Sequence, residues 1–133
     1  MKNNIFLNYQ RGDFVEYKGE ICEVLCRVDG FGVDLRTGDT TYEDVYVGDI
    51  QPISITEDIL NAIGFEYFKF MDTEYYVLKW NNVTCKWNQS ALLSLSTNET
   101  SIKKQHGIYV HQMQQCFRLA DVLEIDDMLN SKF

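Results

Sequence analysis

With 133 residues, the chain is long enough for one compact core or for two small fused subdomains. Its 20 acidic and 12 basic side chains give a formal net charge of −8, which disfavours nonspecific binding to nucleic acid and to anionic membranes. The apolar runs stop far short of the ~20 residues that span a bilayer, and the first residues lack the hydrophobic centre of a secretory signal, so we expect a cytoplasmic protein.

Short strands joined by tight turns are predicted from Tyr9 to Ile55. Residues 21–28 alternate with a period of two, which is typical of a strand with one buried face and puts Cys22 and Cys26 on that face together. Asp29-Gly30 follows as a hairpin signal, because both residues tolerate positive φ. Several short strands of this kind predict an SH3-like small barrel or a curled sheet.

A short helix is predicted next, beginning near Thr56. Thr56 is a typical N-cap residue, and Glu57 and Asp58 follow in the first turn, where the helix dipole favours negative charge. Gly64 stands where a helix commonly ends in a left-handed residue. This helix separates the N-terminal β subdomain from residues 56–133.

An antiparallel β-meander is predicted after the helix, with a turn at Asn81-Asn82. Its four strands are expected at Phe65 to Phe70, Glu74 to Trp80, Val83 to Trp87 and Ala91 to Ser96. An amphipathic helix is predicted over residues 109–120. Its apolar residues recur at helical spacing and are Val110, Met113, Phe117 and Ala120. A short strand or a tail contact is predicted for residues 122–125, and residues 126–133 are expected to fray.

The predicted fold class is therefore α+β and β-rich. Residues 1–55 form the SH3-like β subdomain, and residues 56–133 form an α+β subdomain of helix, meander and C-terminal helix. We expect the two subdomains to be fused into one compact unit.

Aromatic residues are concentrated on the meander. Because successive side chains of a strand point to opposite faces, Tyr75 and Val77 are expected on one face of their strand, and Tyr76, Leu78 and Trp80 on the other. Either the sheet is sandwiched between the barrel and the C-terminal helix, which we favour because aromatic residues are usually buried in cores, or one face is an exposed contact patch. The candidate interaction surface consists of Tyr67, Tyr75, Tyr76, Trp80, Trp87, Tyr109, His111, Gln112 and Gln115.

Two segments resemble an uncharacterised family of small proteins from gut bacteria and their phages and mobile elements. Residues 50–65 begin I-Q-P-I-S-I-T-E-D-I-L and end G-F, similar to the family's I-x-P-I-x-L-T-x-E-x-L … G-F passage. Residues 109–117, Y-V-H-Q-M-Q-Q-C-F, resemble its Y-V-H-x-L-Q-N-L-Y passage, with Gln115 in place of the family's Asn. The family has no assigned activity, so the resemblance implies a shared fold and a phage or mobile-element setting rather than a mechanism.

The ionisable residues carry no recognisable catalytic or metal-binding motif. The four cysteines are expected to be reduced and buried, and only Cys22 and Cys26 have a spacing found in zinc sites. His111 is expected to be structural, because no H-x-x-x-H or H-x-x-E partner accompanies it. Cys116 lies more than a quarter-turn past a full helical revolution from His111, which disfavours a Cys–His pair. We predict no catalytic residue, no metal and no cofactor.

The leading hypothesis is a non-enzymatic interaction or accessory protein that binds a protein partner or self-associates, without nucleic acid or membrane. One alternative is an acidic decoy or inhibitor of a nucleic-acid-processing enzyme, suggested by the net charge and the phage setting. A second alternative is an enzyme with an unrecognised site, for which a pocket would have to join His111 to Cys116, Tyr109 or an acidic residue.

Overall fold

The computed structural model describes residues 9–27, 31–80, 83–88, 92–96, 101–106, 109–119 and 122–133. The chain divides into two compact units, Met1–Ile53 and Ser54–Phe133. In the described residues, each unit contains one antiparallel sheet and the α-helices belong to the second unit, so the predicted β-rich α+β class is confirmed. The turns predicted at Asp29-Gly30 and Asn81-Asn82, and Ala120, lie outside the described residues.

The first unit is a four-stranded sheet in the order β1-β2-β3-β4. The strands are β1 (Phe14–Tyr17), β2 (Glu20–Arg27), β3 (Gly32–Thr37) and β4 (Thr40–Tyr46). Lys18 and Gly19 turn the chain between β1 and β2 at φ of 52° and 78°. After β4, a 3-10 turn at Val47–Asp49 leads to Gln51, which bridges back to Glu16 on β1. The described residues form no closed barrel, so the SH3-like barrel stays a prediction.

Alternating side chains of these strands form the core of the first unit. The buried cluster consists of Tyr9, Val15, Cys22, Val24, Val33, Leu35, Val45, Val47 and Ile50. Tyr17 and Tyr42 pack against it, with their rings edge to face and their centroids 5.1 Å apart.

A β-bulge in β2 changes the predicted position of Cys26. Val24 pairs with Leu35 and Cys26 pairs with Asp34, so Leu25 is an extra residue that breaks the alternation. Cys26 is consequently exposed, and the prediction that it is buried beside Cys22 is wrong. Its thiol donates to Asp34 Oδ2 at 3.4 Å, and this hydrogen bond raises the pKa of the thiol, which disfavours a reactive thiolate.

The second unit opens with the predicted helix, α1 (Glu57–Ile63). Thr56 is its N-cap, because Thr56 Oγ1 accepts a hydrogen bond from the Ile59 backbone N–H at 3.3 Å. Gly64 ends the helix at a φ of 109°, in the left-handed region that favours glycine. Both predicted helix boundaries are confirmed.

A five-stranded sheet follows in the order β5-β6-β7-β8-β9. The strands are β5 (Glu66–Phe70), β6 (Thr73–Trp80), β7 (Val83–Asn88), β8 (Leu92–Ser96) and β9 (Ser101–His106). The antiparallel meander is as predicted, with one strand more than expected. β9 has a single apolar residue in S-I-K-K-Q-H, so its sequence lacks a period-two pattern and only its pairing with β8 reveals it.

Two helices complete the second unit, α2 (Val110–Leu119), as predicted, and α3 (Glu124–Lys132). α3 replaces the short strand or fraying tail that was expected. Ile125 and Leu129, four residues apart, share one side of α3 and are fully buried, and α3 packs against α1 and α2. In the part of the chain that the structure describes, every helix is too short or too polar to cross a bilayer.

A polar network joins α2 to α3. The fully buried Gln114 donates from its side-chain amide to Asp126 Oδ1 at 2.8 Å. Arg118 donates to both carboxylate oxygens of Asp126, from Nε to Oδ2 at 3.0 Å and from Nη2 to Oδ1 at 3.1 Å. The two-pronged geometry and partial burial make this ion pair stronger than an exposed one.

Substituting Asp126 with alanine is expected to lower the free energy of unfolding by about 2–3 kcal/mol, because the buried Gln114 and the partly buried Arg118 both lose this acceptor. Urea unfolding followed by circular dichroism measures the change. Asp127→Ala is the matched control on the same turn, since Asp127 is exposed, and it should change stability by less than about 0.5 kcal/mol. Equal losses in the two variants would show that the network contributes nothing.

Candidate interaction surface

One face of the second sheet carries an open groove across β5, β6 and β7, named here the β5–β7 groove. It has a volume of about 330 Å³ and is lined by Phe68, Tyr75, Val77, Lys79, Thr84 and Lys86. In the strand register, Phe68 lies opposite Tyr75, Val77 opposite Lys86, and Lys79 opposite Thr84. Directly opposed residues of antiparallel strands share a face, so the register itself assembles the groove from three strands.

The floor of the groove is aromatic and aliphatic. The rings of Phe68 and Tyr75 stack with their centroids 5.9 Å apart and an interplanar angle of 20°. Phe68 is 43% exposed, and Tyr75 and Val77 are half-buried. Lys86 Nζ lies 5.9 Å from the centroid of Tyr75, within cation–π range. The groove therefore combines accessible apolar surface with an adjacent ammonium group.

Two lysines give the groove a charge opposite to that of the whole chain. Lys79 and Lys86 are both exposed, and neither forms an ion pair with any residue that the structure describes. Glu66, opposite Val77, places one carboxylate on the same face at the sheet edge. In a chain with a net charge of −8, this face is suited to negatively charged groups.

The other face of the sheet belongs to the core of the second unit. Tyr76, Leu78 and Cys85 are buried there, and the rings of Tyr76 and Trp87 lie 5.9 Å apart. The predicted separation of Tyr75 from Tyr76 is thus confirmed. The exposed-patch interpretation fits the groove face better than the sandwich that the sequence favoured.

The predicted surface aromatics of the meander lie on both faces of the sheet. Tyr75 lines the groove, while Tyr67 is 48% exposed on the other face of β5. The Tyr67 hydroxyl donates to Glu74 Oε1, and this hydrogen bond raises the pKa of Tyr67 to about 12. Trp80 and Trp87 are half-buried on the face opposite the groove. Tyr76 is buried, which corrects its assignment to an interaction surface, because a buried side chain contacts no partner.

The predicted surface residues at the start of α2 do not line the groove. His111 and Gln112 are buried, and Tyr109 and Gln115 are half-buried. Gln112 Oε1 accepts a hydrogen bond from the Tyr109 backbone N–H at 3.1 Å, and the Tyr109 ring stacks on His111 with centroids 6.0 Å apart. Burial lowers the pKa of His111 to about 4. His111 and Gln112 therefore shape the beginning of the helix, which corrects their assignment to the surface.

Most groove residues were missed from the sequence. Only Tyr75 belonged to the predicted surface. Val77 and Lys79 follow Tyr75 at alternate positions of β6, so the period-two pattern could have found them. Phe68 and Lys86 come from neighbouring strands, and their place depends on a register that the sequence pattern does not specify.

The described part of the second unit contains two buried thiols. Cys85 and Cys116 are buried, and burial raises the pKa of both, that of Cys116 to about 11. Both thiols therefore stay protonated near neutral pH, which makes them poor nucleophiles. Among the described residues, no three His, Cys, Asp or Glu side chains are placed to hold a metal ion.

No family model, no curated protein and no solved structure matches the chain.

Proposed function

We propose that this protein is a non-enzymatic interaction protein whose β5–β7 groove binds an acidic, hydrophobic segment of a partner protein. The observation that carries the proposal is an aromatic floor beside two lysines on the open face of a sheet, in a chain that is otherwise strongly acidic. Protein partners are recognised by such combinations of accessible apolar surface and complementary charge.

The apolar part of the partner segment covers Phe68, Tyr75 and Val77. Burying this surface contributes roughly 25 cal/mol for each Å² removed from water. Acidic side chains of the segment pair with Lys79 and Lys86, and these contacts set orientation and association rate more than they add affinity. Lys86 keeps its contact with the Tyr75 ring while it meets a carboxylate, because an ammonium group has three donors.

The chemistry of the groove supports binding rather than catalysis. Its lining combines two lysines and a threonine with three aromatic or aliphatic side chains, and within the described residues it contains no carboxylate, histidine or cysteine. Nucleophilic catalysis typically pairs a nucleophile with a general base within hydrogen-bonding reach, and the described lining offers no carboxylate, histidine or cysteine for such a pair. An interaction surface needs no such pair.

A single-stranded nucleic acid is the competing ligand for a lysine-flanked aromatic face. The net charge of −8 opposes it, since a phosphate backbone meets that charge over its whole length while a short acidic segment meets only the groove. The acidic-decoy hypothesis makes the opposite prediction for the lysines, because added negative charge would then strengthen binding to a basic target.

Two segments resemble small proteins of gut bacteria, phages and mobile elements, and this resemblance supports a phage or mobile-element origin for the protein. We place the protein in the cytoplasm of the host cell, as an accessory product of a phage or mobile element that acts by binding a host or phage protein. Its effect would then be observed as a change in the activity of the protein that it binds.

Reversing the charge of the groove is expected to abolish most partner binding. The double variant Lys79→Glu/Lys86→Glu should bind a fluorescent peptide of alternating acidic and large apolar residues at least about tenfold more weakly, corresponding to about 1.4 kcal/mol, because attraction becomes repulsion. Fluorescence polarisation measures the affinity, and the same peptide with amides in place of its carboxylates measures the charge-dependent share.

Lys18→Glu/Lys132→Glu is the matched control, since both lysines are exposed outside the groove and the variant has the same net charge. It should bind the acidic peptide within about twofold of the wild-type protein, given the screening of distant charges by salt. Equal losses in both double variants would refute a localised site. Tighter binding of an oligothymidine than of the peptide would assign the groove to nucleic acid.

Affinity capture from the host, analysed by mass spectrometry, extends this test to the natural partner. The expected partner is retained by the wild type and by the control variant and lost from Lys79→Glu/Lys86→Glu. A partner that is captured equally by all three proteins binds elsewhere and contradicts the proposal.

A further inference from the structure

The edge strand β5 is exposed along its whole length. It lies at one edge of the sheet formed by the described strands, and all five of its residues are exposed. Tyr67, Phe68 and Phe70 are 48%, 43% and 65% exposed, so apolar surface faces water on both sides of the strand. An open, apolar edge is a template for pairing with another strand.

The other sheet edges carry features that discourage such pairing. β1 is covered by the bridge between Glu16 and Gln51. β4 has an irregular register and contains Asp44 at a φ of 52°, which distorts its edge. β9 carries Lys103-Lys104. Bulges and charges of this kind are the usual protection of an edge, and β5 has only Glu66 and Lys69 for that purpose.

The hairpin geometry determines which backbone groups of β5 point outward. Met71-Asp72 is a two-residue turn closed by the pair Phe70 and Thr73, and the closing pair of such a hairpin is hydrogen-bonded. Hydrogen-bonded and non-bonded pairs alternate along antiparallel strands. Phe70, Phe68 and Glu66 therefore bond to β6, whereas Tyr67 and Lys69 direct their N–H and C=O groups to the open edge.

We propose that β5 pairs antiparallel with β5 of a second copy of this chain, about a two-fold axis at Phe68. In this register the backbone of Tyr67 forms hydrogen bonds with the backbone of Lys69 of the second copy, and Lys69 does the same with Tyr67 of the second copy. Every outward backbone N–H and C=O group of the strand is therefore satisfied. Shifting the register by two residues in one direction would place Lys69 opposite Lys69 of the second copy. Shifting it by two residues in the other direction would place Lys69 opposite the buried Phe65 of the second copy. The central register alone overlaps the full strand without opposing like charges.

Side-chain complementarity on both faces supports this register. On the groove face, Phe68 meets Phe68 of the second copy as a non-bonded pair, in which side chains approach most closely. Each Phe68 already stacks on Tyr75, so four rings form a continuous row across the axis. On the other face, Lys69 lies between Glu74 of its own chain and the ring of Tyr67 of the second copy, where both neighbours attract an ammonium group.

The pairing joins two β5–β7 grooves into one surface, because Phe68 lines each of them. This inference rests on the edge of the sheet and not on the proposed partner binding. Groove variants at Lys79 and Lys86 should leave the dimer intact, so failure of the two proposals can be told apart.

Sedimentation velocity over a concentration series tests the dimer with two charge variants. Phe68→Lys and Phe68→Glu each place identical charges opposite one another on the axis, and each should be monomeric at concentrations where the wild type is dimeric. An equimolar mixture of the two variants should recover dimers, because opposite charges then face each other. Phe68 is partly exposed, so both variants are expected to keep the fold, which circular dichroism verifies.

A second pair of variants tests the backbone pairing itself. Lys69→Pro removes an N–H that points to the open edge and should abolish the dimer, whereas Lys69→Ala keeps that N–H and should retain most of it. A wild-type protein that stays monomeric throughout the series would overturn the proposal. So would a dimer that survives Phe68→Lys, or a mixture of the charge variants that stays monomeric.

Discussion

Between pH 6.5 and pH 4, His111 by itself is expected to remove roughly 3 kcal/mol from the free energy of unfolding. The imidazole is 1% exposed, and burial lowers its pKa from 6.5 to about 4 because the charged form is poorly solvated. Between pH 6.5 and about pH 4, His111 is protonated in the unfolded chain but stays neutral in the folded chain. The contribution of His111 to stability therefore falls with decreasing pH across this window and levels off below about pH 4, where His111 is protonated in both states.

The variant His111→Phe isolates this contribution, since it keeps an aromatic ring and removes the titrating group. Chemical unfolding of both proteins at intervals across the window gives two stability curves. The difference between them should change by up to about 1.4 kcal/mol for each pH unit in the middle of the window. Parallel curves would contradict a depressed pKa, as would an NMR titration in which His111 titrates near 6.5.

Phe117→Ala is expected to cost about 3–5 kcal/mol, the range found when a buried aromatic side chain is removed. Phe117 on α2 is 1% exposed, and its ring packs edge to face on Phe65, with centroids 6.4 Å apart and an interplanar angle of 72°. The truncation therefore leaves a cavity and loses a favourable ring contact. A loss of this size is a large share of the ~5–15 kcal/mol by which domains are stable, so the melting temperature should fall strongly.

Leu119→Ala is the control for this substitution, because Leu119 lies on the same helix but is 71% exposed. Its effect should stay within about 0.5 kcal/mol, as expected for surface positions. Phe117→Leu should fall between the two, since it restores part of the volume. Comparable losses for Phe117→Ala and Leu119→Ala would mean that α2 does not pack as described.

The predictions that depend only on neighbouring residues, such as helix caps and helical spacing, agree with the structure. The cap at Thr56 and the left-handed Gly64 depend on a few adjacent backbone groups, and both stand where the sequence predicts them. The helix predicted over residues 109–120 follows from apolar spacing, and α2 occupies nearly the same range. These features need no knowledge of the rest of the chain.

Predictions that depended on regular alternation or on polarity were less successful. The bulge at Leu25 reverses the side on which Cys26 lies, because one extra residue shifts everything after it to the other face. His111 and Gln112 were expected on an interaction surface, yet both are buried, and so is Gln114. Gln114 is accommodated there because its side-chain amide donates a hydrogen bond to Asp126 on α3, a helix that was itself unexpected.

The sequence by itself determined the class of this protein, its strand-rich composition, the caps of α1 and the two faces of β6. Only the tertiary structure decided which of those faces meets water and which residues of β5 and β7 lie beside Tyr75, because strand register brings together residues that no local pattern connects. It also decided that β5 is an edge of the sheet formed by the described strands, since an edge is defined by the neighbours of a strand and not by its own residues.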